Sequence, residues 1–318
     1  MEKRSLLAES TPHFDWSRLK AKDSTVTSPR SWKSSVSKSP LQVGRSAWSA
    51  AKNALMLRML RRIEHRWTKP KHAAFILDGN RRFAVKANLP TCRMGHERGA
   101  ARFLELIAHC HRYGINNLSV YAFSIENFSR SEREIAAILD IVRSTCDNML
   151  DPTSIVNRIG CRLRVIGDRS LVPEDVRLSI ARAEEHTRNH TVMTVFMSVA
   201  YDGREEIVRA AQRCVADERK VYLGITMADM AREMYVRAHG IDVPPVDLVV
   251  RTGGARRLSS FLMWDSSHAE IYFDDTLWPD FGEYHFLRAL AAFNQRIESS
   301  QASDLHYWGD ATGSPAFV

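Results

Sequence analysis

From Pro70 onward, short runs of apolar and β-branched residues alternate with longer runs whose apolar residues recur at helical spacing. The short runs are typical of buried strands, and strands separated by helices form a mainly parallel sheet that is covered on both faces. We therefore predict a single α/β domain over residues 71–300, with a six-stranded sheet flanked by helices. The predicted strands are Ala73–Leu77, Leu118–Phe123, Leu163–Ile166, Met193–Val199, Leu248–Arg251 and Glu270–Phe273.

The helix predicted after the second strand has a recognisable capping sequence at its start. Ser131 followed by Glu134 has the spacing of a capping box, which predicts a helix over Ser131–Leu150. Apolar residues then recur three and four apart, at Ile135, Ile138, Leu139, Val142, Cys146 and Met149. Because ligands of parallel sheets bind beyond the carboxyl ends of the strands, we expect functional residues directly after strands.

A basic amphipathic helix is predicted before the domain, over residues 46–70. It would lie in a membrane interface or pack on the domain, and the pattern leaves both open. Residues 1–45 form a basic tail rich in Ser, Lys and Pro, for which we expect disorder, and residues 301–318 form a C-terminal tail. The helix carries apolar Trp48, Leu55, Met56, Met59, Leu60, Ile63 and Trp67 mostly on one face, with Arg58, Arg61 and Arg62 on or beside the other.

Charge and cysteine content narrow the class of protein. The net charge is +8, but residues up to Lys71 hold 16 Lys and Arg against 5 Asp and Glu, whereas the remainder holds 29 against 32. A basic tail on a near-neutral body suits an anionic surface. The five cysteines include no C-x-x-C pair, so neither a disulfide framework nor a zinc site is indicated. No apolar run approaches the roughly 20 residues that span a bilayer, so we expect peripheral rather than integral membrane association.

Three predicted strands end in residues suited to phosphate groups. The first runs into DGNRRF (Asp78–Phe83), the second into SIENFSR (Ser124–Arg130), and the fifth into RTGGARRLS (Arg251–Ser259). An acid can hold Mg²⁺, a glycine lets a ligand approach the backbone, and guanidinium groups bind phosphate oxygens. Each string alone also fits an ordinary turn or a solvated basic loop. All three at one sheet edge favour an enzyme that handles two phosphorylated substrates.

Longer motifs make this interpretation specific. The segments HAAFILDGNRRFA, Gly95-His96, YAFSIENFSRS, DLVVRTGG-x-x-R-L-S and LWPDF occur in this order from about His72 to Arg296. They resemble the signature blocks of cis-prenyltransferases, the family of undecaprenyl diphosphate synthase. Arg81 and the Ile-Glu-Asn-Phe string are most similar to the eukaryotic dehydrodolichyl diphosphate synthase catalytic subunit. The resemblance implies condensation of isopentenyl diphosphate onto an allylic diphosphate such as farnesyl diphosphate, giving a long-chain polyprenyl diphosphate.

The resemblance also implies a role for individual residues. Asp78 would be catalytic and linked to Mg²⁺, Glu270 would be a second metal-linked carboxylate, and Asn127 would position the proton-accepting group. The allylic diphosphate would be held by Gly79, Asn80, Arg81 and Arg82, with Phe83 and His96 lining the same region. Between the two substrates would lie Ser124, Glu126, Phe128 and Arg130. Isopentenyl diphosphate would be bound by Arg251, Arg257, Leu258 and Ser259.

Three departures from the family pattern qualify these expectations. Cys92 stands four residues before His96 where the family usually has Arg, and Ala255 stands where members often have Glu. The segment from Arg296 to Val318 contains no Arg-x-Gly motif, which in homodimeric members completes the neighbouring site. By resemblance we expect a heteromer with a Nogo-B-receptor-type subunit that carries the motif, or a homodimer in which the C-terminal tail substitutes for it. The implied location is peripheral, on the cytosolic face of the endoplasmic reticulum membrane.

Other classes fit less well. A haloacid-dehalogenase-type phosphatase would need a second acid where Asn80 stands, Asp274-Asp275 is not followed by a trans-prenyltransferase motif, and no P-loop motif is present. His109-Cys110-His111 suggests a metal site only superficially, because residues two apart on a helix diverge. The remaining alternative is a noncatalytic or RNA-binding scaffold that uses the basic tail. No RNA-binding module is recognisable, so we expect no nucleic-acid partner.

Overall fold

A computed structural model gives the fold. It describes the backbone of residues 40–237, 240 and 243–308, and the side chains of residues 51–218, 222–237, 240 and 243–299. All six predicted strands are confirmed, and every pairing between them is parallel. They are β1 (His72–Ile76), β2 (Asn117–Ser124), β3 (Cys161–Ile166), β4 (Met193–Tyr201), β5 (Leu248–Arg251) and β6 (Glu270–Phe273).

Ten α-helices are described along this part of the chain. Four short 3₁₀ segments, at residues 64–66, 125–129, 169–171 and 278–280, connect some of the elements. The helices are α1 (Pro40–Ile63), α2 (Asn80–Lys86), α3 (Cys92–Arg112), α4 (Glu132–Asn148), α5 (Ile155–Ile159), α6 (Glu174–His186), α7 (Gly203–Ala216), α8 (Glu218–Leu223), α9 (Met227–Glu233) and α10 (Glu283–Trp308).

The strand order, β3-β4-β2-β1-β5-β6, determines where a ligand can bind. The chain leaves β1 toward β2 on one side, and β5 lies on the other side of β1. Connections leave in opposite directions at such a point, which opens a crevice beyond the carboxyl ends of the strands. The residues after β1, β2 and β5 therefore meet at one edge of the sheet.

Side chains of the sheet alternate between two buried clusters. In β1, Ala73 and Phe75 belong to the larger cluster, while Ala74 and Ile76 belong to the smaller one. The larger cluster includes buried residues of α3, α4, α6 and α10. Because both faces are covered at the centre of the sheet, β1 and β5 are buried along their whole length. The edge strands differ: Arg162 and Arg164 alternate with buried residues in β3, and no residue of β6 is fully buried.

The segments outside the domain differ in part from the predicted bounds. The predicted helix over residues 46–70 begins at Pro40 and ends at Ile63. Residues 40–45, for which we predicted disorder, belong to α1, and residues 1–39 lie outside the described residues. In the C-terminal tail, residues 301–308 continue α10, and residues 309–318 also lie outside the described residues. Within the described residues, no helix is long and apolar enough to span a membrane.

Candidate active site

Asp78 lies two residues beyond β1, and two arginines bind its carboxylate. Arg82, one turn into α2, donates from Nη2 to Oδ1 at 3.0 Å, and Arg251 at the end of β5 donates from Nη2 to Oδ2 at 3.0 Å. The Asp78 side chain is 30% exposed, whereas that of Arg251 is 5% exposed. Asp78 therefore connects two of the predicted phosphate-binding segments, the one after β1 and the one after β5.

Arg251 also holds the loop that follows it. Its Nη1 donates to the carbonyl oxygen of Arg257 at 2.6 Å and to Ser259 Oγ at 2.8 Å. Ser259 has φ +51°, a left-handed conformation that is uncommon for a residue with a side chain. Much of the Arg251 guanidinium is therefore engaged inside the protein, so Arg251 positions the Arg257–Ser259 loop and leaves Arg257 for a ligand.

Close backbone contacts support the Asp78 loop. Gly253 has φ +80°, and a Cβ at this position would lie 2.8 Å from the Asp78 carbonyl oxygen, so only glycine fits. The same oxygen accepts hydrogen bonds from the Trp278 amide at 3.0 Å and the Thr252 hydroxyl at 2.8 Å. Trp278 is fully buried, with its indole Nε1 donating to the Gly99 carbonyl at 2.9 Å. The LWPDF motif therefore supports the Asp78 loop through Trp278.

The loop after β2 is fixed by reciprocal capping. The amide of Asn127 donates to Ser124 Oγ at 3.2 Å, and the amide of Ser124 donates to Asn127 Oδ1 at 3.3 Å. The side-chain carbonyl of Asn127 is therefore engaged, and its NH₂ group is what remains for a ligand. This geometry agrees with a positioning role and opposes that of a base. Phe128 packs edge-to-face on Phe123, with ring centroids 4.9 Å apart.

Glu134 is a site residue that the sequence analysis missed. Ser131 caps α4 by accepting from the Glu134 amide at 3.4 Å. The Glu134 carboxylate, however, accepts from Arg130 Nη1 at 2.9 Å and lies 3.6 Å from Arg81 Nη1. It therefore connects the segment after β2 with the segment after β1. The capping-box prediction assigned this side chain to the helix end; the i,i+4 spacing of Arg130 and Glu134 was the signal that could have identified it.

His96 lies on α3 beside these groups as a neutral imidazole. Burial and the nearby Arg130 guanidinium lower its pKa to about 4. Its Nε2 lies 3.9 Å from Glu134 Oε1, too far for a hydrogen bond, and is a buried atom with no partner in the described part of the chain. An unsatisfied buried nitrogen next to a cavity is available for a ligand or a water.

A cavity of about 650 Å³ brings most of the predicted residues together. It contains four arginines and three carboxylates, so it is polar and suited to anionic groups that carry cations. Its walls also include Tyr121, whose hydroxyl lies 3.3 Å from the Ser259 carbonyl and donates to it. Of the predicted site residues, those lining the cavity are Asp78, Asn80, Arg81, His96, Ser124, Glu126, Asn127, Arg130, Arg251, Arg257 and Ser259.

Other predicted residues do not line the cavity. Gly79 precedes α2 with φ +118°, and Phe83 lies within that helix. Arg82 spans Asp78 and the Gly253 carbonyl, to which it donates at 2.6 Å. Leu258 packs on the smaller apolar cluster. These residues shape the loops and do not line the cavity.

Glu270 does not join Asp78 within this chain. It is the first residue of β6, whereas the cavity lies beyond the last residues of the strands, and its carboxylate lies 3.8 Å from Arg296 Nε. Among the described side chains, no group of three or more His, Cys, Asp or Glu residues could hold a metal ion. Cys92 begins α3 and is exposed, and the adjacent Arg93 pairs with Glu97 and Asp140.

Two largely apolar spaces adjoin the polar cavity in turn through shared wall residues, and together we call them the apolar channel. A narrower space of about 80 Å³ shares Leu77, His96 and Ile138 with it and continues between α3, α4 and the sheet. Thr145 of α4 lines both this space and a third cavity of about 440 Å³, between α3, the end of α4 and α5. The polar head and apolar tail of one amphiphilic ligand would fit this sequence of spaces.

A polar, arginine-lined cavity with Asp78 in its wall and an apolar channel beside it suits substrates that are both phosphorylated and hydrophobic. The Prenyltransf family model, which describes undecaprenyl diphosphate synthase, matches residues 76–300. This chain belongs to that family, the cis-prenyltransferases, whose members elongate prenyl diphosphates.

Individual relatives agree with this assignment. The chain is 34% identical over 227 residues to a ditrans,polycis-undecaprenyl-diphosphate synthase, (2E,6E)-farnesyl-diphosphate specific, of Haemophilus influenzae, covering 71% of this chain and 93% of the relative. It is 32% identical over 252 residues to a dehydrodolichyl diphosphate synthase of Solanum lycopersicum, covering 71% and 84%. The crystal structure of lavandulyl diphosphate synthase from Lavandula x intermedia with dimethylallyl diphosphate superposes with a TM-score of 0.64 at 32% identity, covering 71% and 95%.

Proposed function

We propose that this enzyme adds isopentenyl diphosphate repeatedly to an allylic diphosphate, with farnesyl diphosphate as primer, to make a long-chain polyprenyl diphosphate such as dehydrodolichyl diphosphate. The observation that carries the proposal is the junction of an arginine-lined cavity with an apolar channel at the carboxyl ends of β1, β2 and β5. Within the described residues, nothing in the fold favours the scaffold alternative.

The residues around the cavity divide into two anion-binding groups. Arg81 and the amino end of α2 follow β1, where they would bind the allylic diphosphate, while Arg257 and Ser259 follow β5, where they would bind isopentenyl diphosphate. In the reaction the bond from the allylic carbon to diphosphate oxygen breaks and a carbon–carbon bond forms from the isopentenyl double bond. A proton then leaves to set the new cis double bond. Asn127, a neutral amide, would orient the group that takes this proton.

The residues present fit Mg²⁺ that enters with the substrate. Mg²⁺ in phosphate-binding sites is usually held by one or two carboxylates together with substrate phosphates, and Asp78 presents a part-exposed carboxylate at the cavity. Although each Asp78 oxygen accepts from one arginine, a carboxylate has about four acceptor positions, so one remains open on each oxygen. When bound, Mg²⁺ supplies charge that stabilises the departing diphosphate.

The channel supports a product longer than the primer. Growing prenyl chains would pass Thr145 from the narrow space into the 440 Å³ cavity beyond it. Two further parts of the function remain predictions from sequence resemblance: a Nogo-B-receptor-type partner or a second copy of this chain, and a location on the cytosolic face of the endoplasmic reticulum.

Incorporation of radiolabelled isopentenyl diphosphate into extractable lipid tests the proposal. We expect Mg²⁺-dependent incorporation with farnesyl diphosphate as primer, and products resolved by chromatography as a series of lengths. The assay should include a run without primer and a run with an Arg-x-Gly partner subunit. A folded enzyme that incorporates nothing under any of these conditions would contradict the proposal.

A further inference from the structure

Helix α1 is fastened to the domain through one face. Arg61 binds the Glu283 carboxylate, with Nε at 3.0 Å, and Arg112 at the end of α3 lies 3.3 Å from the same group, which also accepts from the Tyr113 hydroxyl. Burial acts to raise the pKa of Glu283, but the hydrogen bonds from Arg61 and Tyr113 outweigh it and hold the pKa at about 2. Leu57 and Leu60 pack on the large core cluster next to this contact.

The opposite face of α1 is apolar and exposed. Leu55 is 61% exposed, Met59 54%, Ile63 45% and Met56 36%. Leu55, Met59 and Ile63 are four residues apart, so they form one row on the helix, and Met56 lies beside it. We call these four residues the outer stripe. The sequence placed Leu60 and Trp67 on the same face; in the structure both pack on the core instead.

Basic residues border the outer stripe. Arg58 and Arg62 are four apart on its flank, and neither forms an ion pair within the described residues. From Pro40 to Ile63 the helix contains no acidic residue. An apolar row beside a cationic row is the arrangement with which a helix lies in a lipid interface, its apolar side chains among the acyl chains and its arginines at phosphate groups.

The area of the outer stripe argues for lipid over a second protein copy. Four partly exposed side chains offer roughly 350 Å² of apolar surface, well below the about 800 Å² per partner of a stable protein interface. A lipid surface has no such minimum, because binding adds the insertion of a short apolar row to attraction between arginines and anionic headgroups. We propose that the outer stripe, with Arg58 and Arg62, docks this enzyme on an anionic lipid surface.

The docking would also set the direction of the channel, and this part rests on the proposed function. Leu104 and Ala108 of α3 line the third cavity, and Arg112 and Tyr113, about one turn beyond Ala108, hold the Glu283 contact of α1. The distal end of the channel and the lipid-facing helix therefore lie toward the same end of α3. A lengthening apolar product would meet lipid there.

Vesicle flotation of the full chain tests the docking without substrate. We expect the protein to float with phosphatidylcholine vesicles that contain about a third phosphatidylserine, and weakly with phosphatidylcholine alone. The triple variant Leu55→Ser, Met59→Ser, Ile63→Ser should lose at least tenfold in partitioning to both vesicles. The double variant Arg58→Glu, Arg62→Glu should lose the preference for phosphatidylserine, as should wild type at high salt.

A matched control uses exposed apolar residues elsewhere. Leu178, Val208 and Val215 are 56%, 57% and 59% exposed on α6 and α7, so the same change to Ser should leave flotation unchanged. Flotation of the outer-stripe triple variant at the wild-type level would overturn the proposal, as would absence of wild-type binding to either vesicle. Sedimentation velocity without vesicles adds a third refuting outcome: self-association that the triple variant abolishes, without flotation, would make a second copy the occupant.

The incorporation assay in detergent separates this proposal from the proposed function. The triple variant should keep wild-type incorporation there, because no residue of the outer stripe lines the cavity. Stripe-dependent flotation of a protein without incorporation activity would leave the lipid surface standing and remove the proposed reaction. Normal incorporation without flotation would support the proposed reaction and overturn the proposed lipid docking.

Discussion

Replacing Asp78 by Asn should separate the proposed catalytic role of this carboxylate from its structural role. The substitution keeps the shape of the side chain and removes its charge. In the native site the carboxylate joins Arg251, which is almost fully buried, to the more exposed Arg82. The change therefore affects both the charge that faces the substrate and the pairing of a buried guanidinium.

The two contacts differ in their expected contributions. A charge-assisted hydrogen bond to a buried partner contributes about 1.5 to 3 kcal/mol, whereas an exposed ion pair such as Arg82–Asp78 contributes about 0.2 to 1 kcal/mol. Asn retains one acceptor oxygen, and Arg251 keeps its bonds to the Arg257 carbonyl and Ser259. We expect the free energy of unfolding to fall by about 2 to 3 kcal/mol, or the Tm by about 5 to 10 °C.

Turnover should fall much further than stability. Loss of the carboxylate removes the charge that we propose to be linked to Mg²⁺ and weakens the contacts of the loop that carries Arg257, so we expect kcat to fall by about 10³-fold or more. Incorporation of isopentenyl diphosphate at saturating substrate gives kcat, and thermal unfolding without ligand gives the stability change. Asp280→Asn is the matched control, since the ion pair of its carboxylate within the described residues is a long, exposed one with Lys86 at 3.5 Å, and the change should alter stability by less than about 0.5 kcal/mol.

Two results would refute this reasoning. A folded Asp78→Asn enzyme that retains kcat within tenfold of wild type would exclude Asp78 as the essential acid. A stability loss no larger than that of Asp280→Asn would show that Arg251 does not depend on the Asp78 carboxylate.

Three further predictions concern other parts of the site. Arg257→Ala should raise KM for isopentenyl diphosphate about 10 to 100-fold, and a rise confined to the allylic substrate in steady-state kinetics would mean that the two subsites are exchanged. Because the folded pKa of His96 is about 4, below the unfolded value of 6.5, His96 stabilises the fold fully above pH 6.5 and loses this contribution, about 3 kcal/mol, as the pH falls toward 4. His96→Gln should flatten the dependence of unfolding free energy on pH over that window in urea titrations, and an unchanged slope would contradict the burial argument. Thr145→Trp should shorten the products seen by chromatography, whereas Ser144→Trp on the exposed side of α4 should not; equal product lengths would rule out passage beside Thr145.

Much of the site was predictable from sequence because parallel sheets bring strand ends together. Once Asp78, Ser124 and Arg251 were assigned to the ends of predicted strands, their meeting at one edge followed from the topology. The types of residue in these motifs then indicated the ligands, because acids, guanidinium groups and glycine-containing turns that lie side by side most often bind phosphate groups and their cations. Local patterns were enough for these inferences, whereas the roles of individual residues came from the resemblance to the family.

Contacts between distant segments were decided by the tertiary structure. The sequence pattern predicted a helix-capping role for the Glu134 side chain, and only the approach of α2 and α3 brings Arg81 and His96 to its carboxylate. Glu270 resembles a metal ligand by motif, but its position at the amino end of β6 separates it from Asp78 within the chain. Spacing along the sequence shows neither how close Glu134 lies to Arg81 and His96 nor how far Glu270 lies from Asp78.

The orientation of α1 shows the same division. Its sequence determined that it is a helix with apolar and basic rows, because spacing alone defines which residues share a face. Apolar residues also occur outside the predicted face, however, so the pattern did not determine which row would meet the domain. The Arg61–Glu283 contact, between residues more than 200 positions apart, holds Leu57 and Leu60 inward and leaves Leu55, Met59 and Ile63 exposed.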